Sequence, residues 1–161
     1  MPILFLIYIR DLFYTLEDVY PLSYIDDIGL VTASTSLQKN AKILEREVKK
    51  LTVEGQRQAI EFDLAKTELL HFTKGKKAKV PIYLPTGEKI VPAKGAVRWL
   101  GVWFDAHLTF KEHIIRRVSG AEVAFNRMAR LANLENGLST RSLRQLYKAC
   151  ITIIADYGSE I

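Results

Sequence analysis

The spacing of apolar residues along this chain changes near residue 108, and this change constrains the fold more than any other feature of the sequence. Before that point, short stretches rich in β-branched and aromatic residues alternate with helical patterns, as strands and packing helices do. From Phe110 onward, apolar residues recur every three or four positions, which is typical of helices with one inward face. The sequence therefore predicts an α+β fold, with a mixed part over residues 1–108 and an all-helical part over residues 109–161.

The mixed part contains two predicted helices and several short strands. An apolar run predicts a buried helix over residues 2–13, because a helix that is apolar on every side has no face for water. Thr35 and Gln38 form a predicted capping box before an amphipathic helix over residues 36–58. Residues 22–33 predict a mostly buried hairpin around an acidic turn. Further strands are predicted over residues 67–72, 80–84, 88–91 and 98–105.

The all-helical part begins with a long predicted helix. Thr109 and Glu112 predict a capping box at its start. Asn136 and Gly137 predict its end. Its inward face is predicted to consist of Ile114, Val118, Ala121, Phe125, Met128 and Ala132.

A last helix is predicted to start at Ser139 or Thr140, and its inward residues are predicted to be Leu143, Leu146, Cys150 and Ile154. Cys150 is the only cysteine, which excludes a disulfide within the chain and any cysteine-based metal site. Because Cys150 lies in an apolar helical stretch, Leu146 to Ile154, we interpret it as a core residue. A single cysteine fits an intracellular setting but does not require one.

The N-terminal apolar run is not predicted to be a signal peptide or a membrane span. It lacks a basic leader and a small-residue cleavage site. It is also shorter than the ~20 apolar residues that a span requires. We interpret it as the buried start of a domain whose earlier part is missing.

The chain carries a net charge of +5, which favours polyanionic partners, although many basic proteins bind none. Eight basic residues against three acidic ones lie between Lys111 and Lys148, off the predicted apolar face. Such a stripe can follow the phosphates of a duplex without reading bases. The alternative is ordinary solvated helix surface, and the basic loop 74–79 is open to the same two interpretations. The candidate nucleic-acid contacts are Arg116, Arg117, Arg127, Arg130, Arg144 and Lys148.

Asp26 and Asp27 are adjacent carboxylates in an otherwise apolar hairpin. Burying two like charges side by side costs free energy unless a cation neutralises them. Mg²⁺ prefers carboxylate oxygens and keeps water and substrate phosphates as its other ligands. The pair therefore predicts a divalent-metal site, and the alternative is an ordinary exposed turn. The three histidines show no metal-ligand spacing.

Several segments of the chain resemble segments of the reverse transcriptases of non-LTR (LINE-type) retrotransposons, and they occur in the order in which that family has them. Residues 24–27, Tyr-Ile-Asp-Asp, resemble the Tyr-x-Asp-Asp signature of that family. The apolar residues 2–12 resemble the helix that precedes the signature. Residues 62–72 are similar to the Lys-Thr-Glu segment, and residues 98–105, with Leu-Gly-Val, are similar to the primer-grip hairpin.

The resemblance covers the whole chain and implies two subdomains. The first is a partial polymerase palm over residues 1–108, an antiparallel sheet with packing helices. The second is a truncated helical thumb over residues 109–161, and the segments that are similar to the family's thumb are residues 108–113 and 146–161.

The implied activity is RNA-templated DNA synthesis, in which a primer 3′-hydroxyl attacks the α-phosphate of a deoxynucleotide triphosphate. Asp26 and Asp27 would bind Mg²⁺ or Mn²⁺ for this nucleotidyl transfer. Lys66 would neutralise or protonate the departing pyrophosphate, unless it is a solvated loop lysine. The implied partners are an RNA template, a DNA primer and their RNA–DNA hybrid, and the implied location is the nucleus, with no membrane partner.

The resemblance also implies primer-binding residues, which are Tyr24, Trp99, Leu100, Gly101 and Trp103. Tyr24 would pack under the primer terminus, and the alternative is a plain strand aromatic. Glycine permits close backbone approach, and tryptophan offers a flat face to a sugar or base. Alternation along one strand would place Trp99 and Trp103 on the same face. The alternative is that both tryptophans fill the seam between palm and thumb.

The family pattern includes a third metal-binding Asp from a palm strand well upstream of the signature. Only 23 residues precede Tyr24 here. Asp11 and Asp18 lie among them, but Asp11 belongs to the Ile-Arg-Asp-Leu end of the first helix, which matches a different position of the family. The fingers are absent too, and the chain stops where family members continue. We therefore expect that this polypeptide alone does not polymerise DNA. The alternatives are a non-catalytic nucleic-acid-binding remnant of a mobile element and a pseudogene product without function.

Overall fold

The computed structural model describes residues 2–73, 79–131 and 137–161, and the fold is α+β. The chain divides into two compact units, Met1–Lys94 and Gly95–Ile161. Most of the basic loop 74–79 and the predicted helix end at Asn136 lie outside the described residues. The division into units falls before the aromatic segment 98–105, whereas the sequence places a change of architecture at residue 108.

In its described residues, the first unit contains two α-helices, a short 3₁₀ turn (Leu64–Lys66) and two hairpins. The α-helices and strands are α1 (Pro2–Phe13), β1 (Tyr20–Tyr24), β2 (Asp27–Val31), α2 (Leu37–Arg57), β3 (Ile82–Tyr83) and β4 (Lys89–Ile90). Both predicted helices and both predicted hairpins are confirmed, although the second hairpin is shorter than expected.

The strand predicted over residues 67–72 is wrong. Leu69 and His71 are both buried, so the segment has the alternating burial of a strand. The Leu69 carbonyl accepts one hydrogen bond from Ala93 N, at 2.9 Å, but the segment joins no ladder among the described residues. Alternation in sequence reports burial, and a strand also needs a partner along its whole edge.

The main core of the first unit forms where α1 meets α2 and β2. Ile9, Leu12 and Leu51 are buried there, and partly buried residues such as Phe62 pack around them. The prediction that α1 is buried on every side is wrong. Its other face is largely exposed, with Ile3, Leu4, Ile7 and Tyr8 each more than half accessible. Only one face of α1 therefore has neighbours within the described part of this unit.

The amphipathic helix α2 packs as its pattern predicts, with Ala41, Leu51 and Gly55 buried. Its predicted capping box is wrong. Ser36 is the N-cap residue, and its hydroxyl donates to Gln38 Oε1 at 2.8 Å instead of accepting a bond from a helix amide. A capping box requires a particular backbone geometry, and the sequence pattern alone did not place the N-cap at the correct residue.

The second unit contains one hairpin followed by helices. The elements are β5 (Ala96–Trp99), β6 (Val102–Asp105), α3 (Lys111–Ala129), α4 (Thr140–Leu146), a π-helical segment (Tyr147–Thr152) and α5 (Ile153–Asp156). The single strand predicted over residues 98–105 is a hairpin with a two-residue turn. The described strands thus form three separate two-stranded sheets, where the sequence predicts one antiparallel sheet.

The start of α3 differs from its predicted capping box. Phe110 is the N-cap residue, with φ of 55°, and its side chain makes no capping bond. Thr109 is instead bonded to Asp105, whose carboxylate accepts from the Thr109 hydroxyl at 2.9 Å and from Phe110 N at 2.9 Å. The Thr109 hydroxyl in turn accepts from Lys111 N, the first helical amide, at 3.4 Å, so Thr109 bonds to the helix start from one position outside the N-cap and without Glu112. By contrast, Ser139 is confirmed as the N-cap of α4, because its hydroxyl accepts from Ser142 N.

The inward face of α3 is only partly the predicted one: Ala121 and Met128 are half-buried as expected, and Ala132 lies outside the described residues. Ile114, Val118 and Phe125 are about half exposed, whereas His113 is buried and Gly120 faces the last helical segment. A Cβ added to Gly120 would lie 3.3 Å from Ile154 Cγ2. Small residues let two helix backbones approach closely, so the helix packs through a face that hydrophobicity alone does not select. Among the described residues, no helix is both long and apolar enough to cross a membrane.

Candidate functional site

The hairpin β5–β6 places its aromatic and basic side chains on defined faces. Arg98 is paired with Trp103, and Trp99 is paired with Val102. Residues directly opposite each other in an antiparallel pair point to the same face. Trp99 therefore shares a face with the buried Val102, and Trp103 shares the other face with Arg98. The expectation that Trp99 and Trp103 lie on one face is wrong, because the chain turns between them.

The face of the hairpin that carries Arg98 and Trp103 borders a cleft of about 560 Å³ against α3. Within the cleft, the Arg116 guanidinium lies 4.0 Å from the centre of the Trp103 ring. Arg116 Nε also donates to Glu112 Oε1 at 2.7 Å. The lining is made of Arg98, Trp103, Glu112, Ile115, Arg116, Arg117 and Ser119. Three guanidinium groups against one carboxylate give the cleft a positive charge.

The turn of this hairpin is Leu100–Gly101, and both residues have positive φ, 48° and 82°. Its two carbonyl groups are bonded from outside the hairpin. Tyr157 donates its hydroxyl to Leu100 O at 2.6 Å, and Arg117 Nη2 donates to Gly101 O at 2.7 Å. Leu100 and Gly101, predicted as primer contacts, are thus joined to the cleft through Arg117, which lines it, but are not in its lining themselves.

The remaining predicted nucleic-acid contacts do not line this cleft. Arg127, Arg130, Arg144 and Lys148 are exposed, on or beside α3 and the last helical segments. They extend the positive surface of the second unit, and each is free to meet a phosphate from solvent. The structure thus brings Trp103, Arg116 and Arg117 together and leaves the other four as separate surface charges.

The acidic hairpin β1–β2 is formed as predicted, with Tyr24 paired with Asp27 and a two-residue turn at Ile25–Asp26. The prediction that it is mostly buried is wrong, since Tyr24, Asp26 and Asp27 are all exposed. Ile25 has φ of 55°, which is rare for a β-branched residue. Strain of this kind is found at tight functional turns.

Asp26 borders a small apolar cavity of about 110 Å³ next to the hairpin. Glu61 is the other acidic residue in its lining, which otherwise consists of Phe5, Ile9, Leu12, Ile25, Ile28, Ile60 and Phe62. No group of three or more His, Cys, Asp or Glu residues suited to a metal ion is found in the described ranges. Two adjacent exposed carboxylates nevertheless fit a hydrated Mg²⁺, which binds proteins through one or two carboxylates.

Lys66 lies in a short 3₁₀ turn, Leu64–Lys66, with its side chain 84% exposed. Its ammonium group is 2.7 Å from Asp63 Oδ2, and this hydrogen bond raises the pKa of Lys66 and lowers the pKa of Asp63. Lys66 is therefore charged at neutral pH and bonded to its own turn, not to the acidic hairpin.

No protein-family model, curated protein or solved structure matches this chain.

Arg98 and Tyr157 belong to the site but were not among its predicted residues. Arg98 directly precedes the aromatic run, and the hairpin register would have placed it opposite Trp103. Tyr157 is 56 residues beyond Gly101 in the chain, and nothing in the sequence joins the two. Only the packing of the chain end against the hairpin turn reveals that contact.

Proposed function

We propose that this chain is part of a reverse transcriptase of the non-LTR type and that, by itself, it binds nucleic acid without polymerising DNA. Residues 1–108 would be a partial palm and residues 109–161 a helical thumb. The order of the signature, Lys-Thr-Glu, Leu-Gly-Val and thumb segments along the chain supports this assignment. The proposed partner is an RNA–DNA hybrid or its single strands.

The observation that carries the proposal is the basic cleft between β5–β6 and α3. Arg98, Arg116 and Arg117 line one concave surface beside an indole ring, with the Arg117 guanidinium bonded to Gly101 O at its edge. Guanidinium groups bind phosphate oxygens through paired hydrogen bonds. Backbone contacts of this kind fix a duplex in place without reading its sequence, and an RNA–DNA hybrid is recognised chiefly by shape and backbone.

The acidic hairpin supports the catalytic part of the proposal. Asp26 and Asp27 would hold Mg²⁺ or Mn²⁺, which when bound supplies charge stabilisation to the phosphoryl oxygens of nucleotidyl transfer. Lys66 carries the positive charge that a deoxynucleotide triphosphate requires. To reach it, the Lys66 ammonium would have to leave Asp63, and an exposed ion pair of this kind contributes little to stability.

The second candidate function is a nucleic-acid-binding remnant without catalysis. It is favoured by the contrast between the two sites. In the basic cleft, Arg116 contacts both Glu112 and Trp103, whereas Asp26 and Asp27 are exposed and belong to no group of three or more metal-ligating side chains in the described ranges.

The affinity for a labelled RNA–DNA hybrid, measured by fluorescence anisotropy over a range of salt concentrations, tests the proposal. We expect a linear fall of log K with log salt, because phosphate contacts release counterions. Arg98→Gln and Arg116→Gln should each lower the slope by about 1 and weaken binding about 3- to 10-fold.

Arg57→Gln is the matched control, because it also removes one positive charge but lies in the first unit, paired with Glu54. It should leave both affinity and slope almost unchanged. Binding that is absent, or that is insensitive to salt, would overturn the proposal, and equal effects of Arg57→Gln and Arg98→Gln would show that the cleft is not the site.

Substituting Asp26 and Asp27 together by Asn separates the two candidate functions. Titration calorimetry with Mg²⁺ should detect binding to the parent chain that the double variant lacks, if the hairpin is a catalytic metal site. For the non-catalytic remnant, Mg²⁺ binding is absent in both and the hybrid affinity of the variant is unchanged or improved, since two negative charges are gone.

A further inference from the structure

The turn at Leu100–Gly101 has a backbone that its sequence does not favour. Both central residues have positive φ, and two-residue hairpin turns of this kind prefer Asn-Gly or Gly-Gly. Leucine at positive φ brings its Cβ close to the backbone and therefore costs free energy. The strained turn persists, so the surrounding structure must hold it.

Two side chains from outside the hairpin bond to this turn. The Tyr157 hydroxyl donates to Leu100 O and Arg117 Nη2 donates to Gly101 O, at 2.6 and 2.7 Å. The fit is close, because a Cβ added to Gly101 would lie 3.0 Å from Tyr157 Cε1. Both carbonyl groups of the turn are thus satisfied by residues of α3 and of the chain end.

Tyr157 is itself held in place on two sides. The Arg117 guanidinium lies over its ring, 4.4 Å from the centroid. The buried His113 donates from Nε2 to Tyr157 O at 2.8 Å, and His113 Nδ1 accepts from Trp103 N at 3.4 Å. Both ring nitrogens are therefore used by one neutral tautomer. We call Tyr157, Arg117 and His113 the turn clasp.

We propose that Tyr157 and Arg117 are positioning residues that hold the Leu100–Gly101 turn, so that the Arg98–Trp103 face of the hairpin is presented to nucleic acid. This inference rests on the proposed function. Tyr157 need not touch nucleic acid itself. It affects binding by fixing the backbone of the turn, and through the turn it positions the hairpin at residues 96–105.

Tryptophan fluorescence reports on the clasp without any nucleic acid. Trp99 and Trp103 are the only two tryptophans, and they flank the turn. Tyr157→Phe removes one hydroxyl and keeps the ring under Arg117. We expect about a twofold increase in acrylamide quenching and about a 3- to 10-fold loss of hybrid affinity, as for one lost hydrogen bond.

Tyr147→Phe is the matched control, since Tyr147 is 43% exposed, belongs to the same helical region and lies outside the clasp. It should change neither quenching nor affinity. Arg117→Lys is a second variant, which keeps the charge and loses the planar group. In the double variant, the increase in quenching should be smaller than the sum of the increases in Arg117→Lys and Tyr157→Phe, because both residues hold the same turn.

Unchanged quenching in Tyr157→Phe, or effects that add fully with those of Arg117→Lys, would overturn the clasp. Failure of the parent chain to bind the hybrid would overturn the proposed function instead, and the quenching result would still decide on the clasp. If Tyr157→Phe loses its helical circular dichroism, the Arg117→Lys quenching result decides in its place.

Discussion

At the scale of single residues, the burial of Glu47 is a feature that the amphipathic pattern of α2 does not predict. Its side chain is 0% exposed and accepts from Glu17 N at 2.9 Å and from Arg46 Nε at 2.6 Å. Lys50 Nζ lies 3.3 Å away. Burial alone would raise the pKa of Glu47, but these hydrogen bonds outweigh it and lower the pKa below its usual value of 4.5. Glu47 therefore joins α2 to the segment that follows α1.

Glu47→Gln should lower the free energy of unfolding by about 1–3 kcal/mol at pH 7, because it leaves a buried group imperfectly paired. A carboxylate with a lowered pKa stabilises the fold above its unfolded pKa and loses this effect as the pH falls through the lowered value. The difference between parent and variant should therefore shrink below about pH 4.5.

Urea denaturation followed by circular dichroism from pH 3 to 7 measures this difference; tryptophan fluorescence would not, since both tryptophans lie in the second unit. Asp63→Asn, which breaks the exposed pair with Lys66, is the control and should destabilise the fold much less than Glu47→Gln does at pH 7. A loss in Glu47→Gln no larger than that of the control would show that Glu47 is not buried as described.

At the scale of elements, the π-helical segment Tyr147–Thr152 changes which residue of the last helical stretch is buried. Leu143, Leu146 and Ile154 are half-buried as predicted, but the buried residue between them is Ile151, five positions after Leu146, and Cys150 is exposed. The interpretation of Cys150 as a core residue is wrong for this reason. In an α-helix, inward-facing residues are spaced by three or four positions and not by five. The i to i+5 hydrogen bonding of a π-helix produces a spacing of five.

Ile151→Ala should therefore destabilise the protein by about 2–4 kcal/mol, and Cys150→Ala by less than about 0.5 kcal/mol. Tryptophan fluorescence during urea denaturation measures both, because Trp99 and Trp103 belong to the same unit as Ile151. The reverse order, with Cys150→Ala the more costly change, would mean that the helix continues as a regular α-helix through residue 150.

At the scale of the whole molecule, the candidate metal site and the basic cleft belong to different compact units. Asp11 and Asp18 are bonded elsewhere. Asp11 lies 3.6 Å from Arg10, and Asp18 bonds to Arg46 at 2.8 Å, which lowers the pKa of Asp18. Neither carboxylate is therefore directed to the acidic hairpin, which keeps Asp26 and Asp27 as its own pair.

We predict that the pure chain does not extend a primer. Two-metal nucleotidyl transfer needs carboxylates that clamp both the attacking and the leaving oxygens, and two exposed aspartates are too few for that. A primer-extension assay with an RNA template, deoxynucleotides and Mg²⁺ or Mn²⁺ should give no product. Metal-dependent product that disappears in Asp26→Asn would contradict the prediction.

Much of the local structure was predictable because it depends on neighbours in sequence. The helix over residues 37–57, the hairpin around Ile25–Asp26 and the N-cap at Ser139 follow from periodicity and turn chemistry. The acidic pair and the arginines of α3 were likewise visible as candidates. Their partners were not: Arg98 opposite Trp103 depends on where the chain reverses, and a run of aromatic residues does not show that.

The sequence by itself determined which segments are helical and which segments of the first unit form its two hairpins. It also determined that the chain is basic. The tertiary structure decided which faces are inward, since His113 and Gly120 pack where Ile114 and Val118 were expected. It also joined Tyr157 to the turn at Leu100–Gly101. The physical reason is that local bonding follows from adjacent residues, whereas close packing selects the faces whose shapes fit, whatever their hydrophobicity.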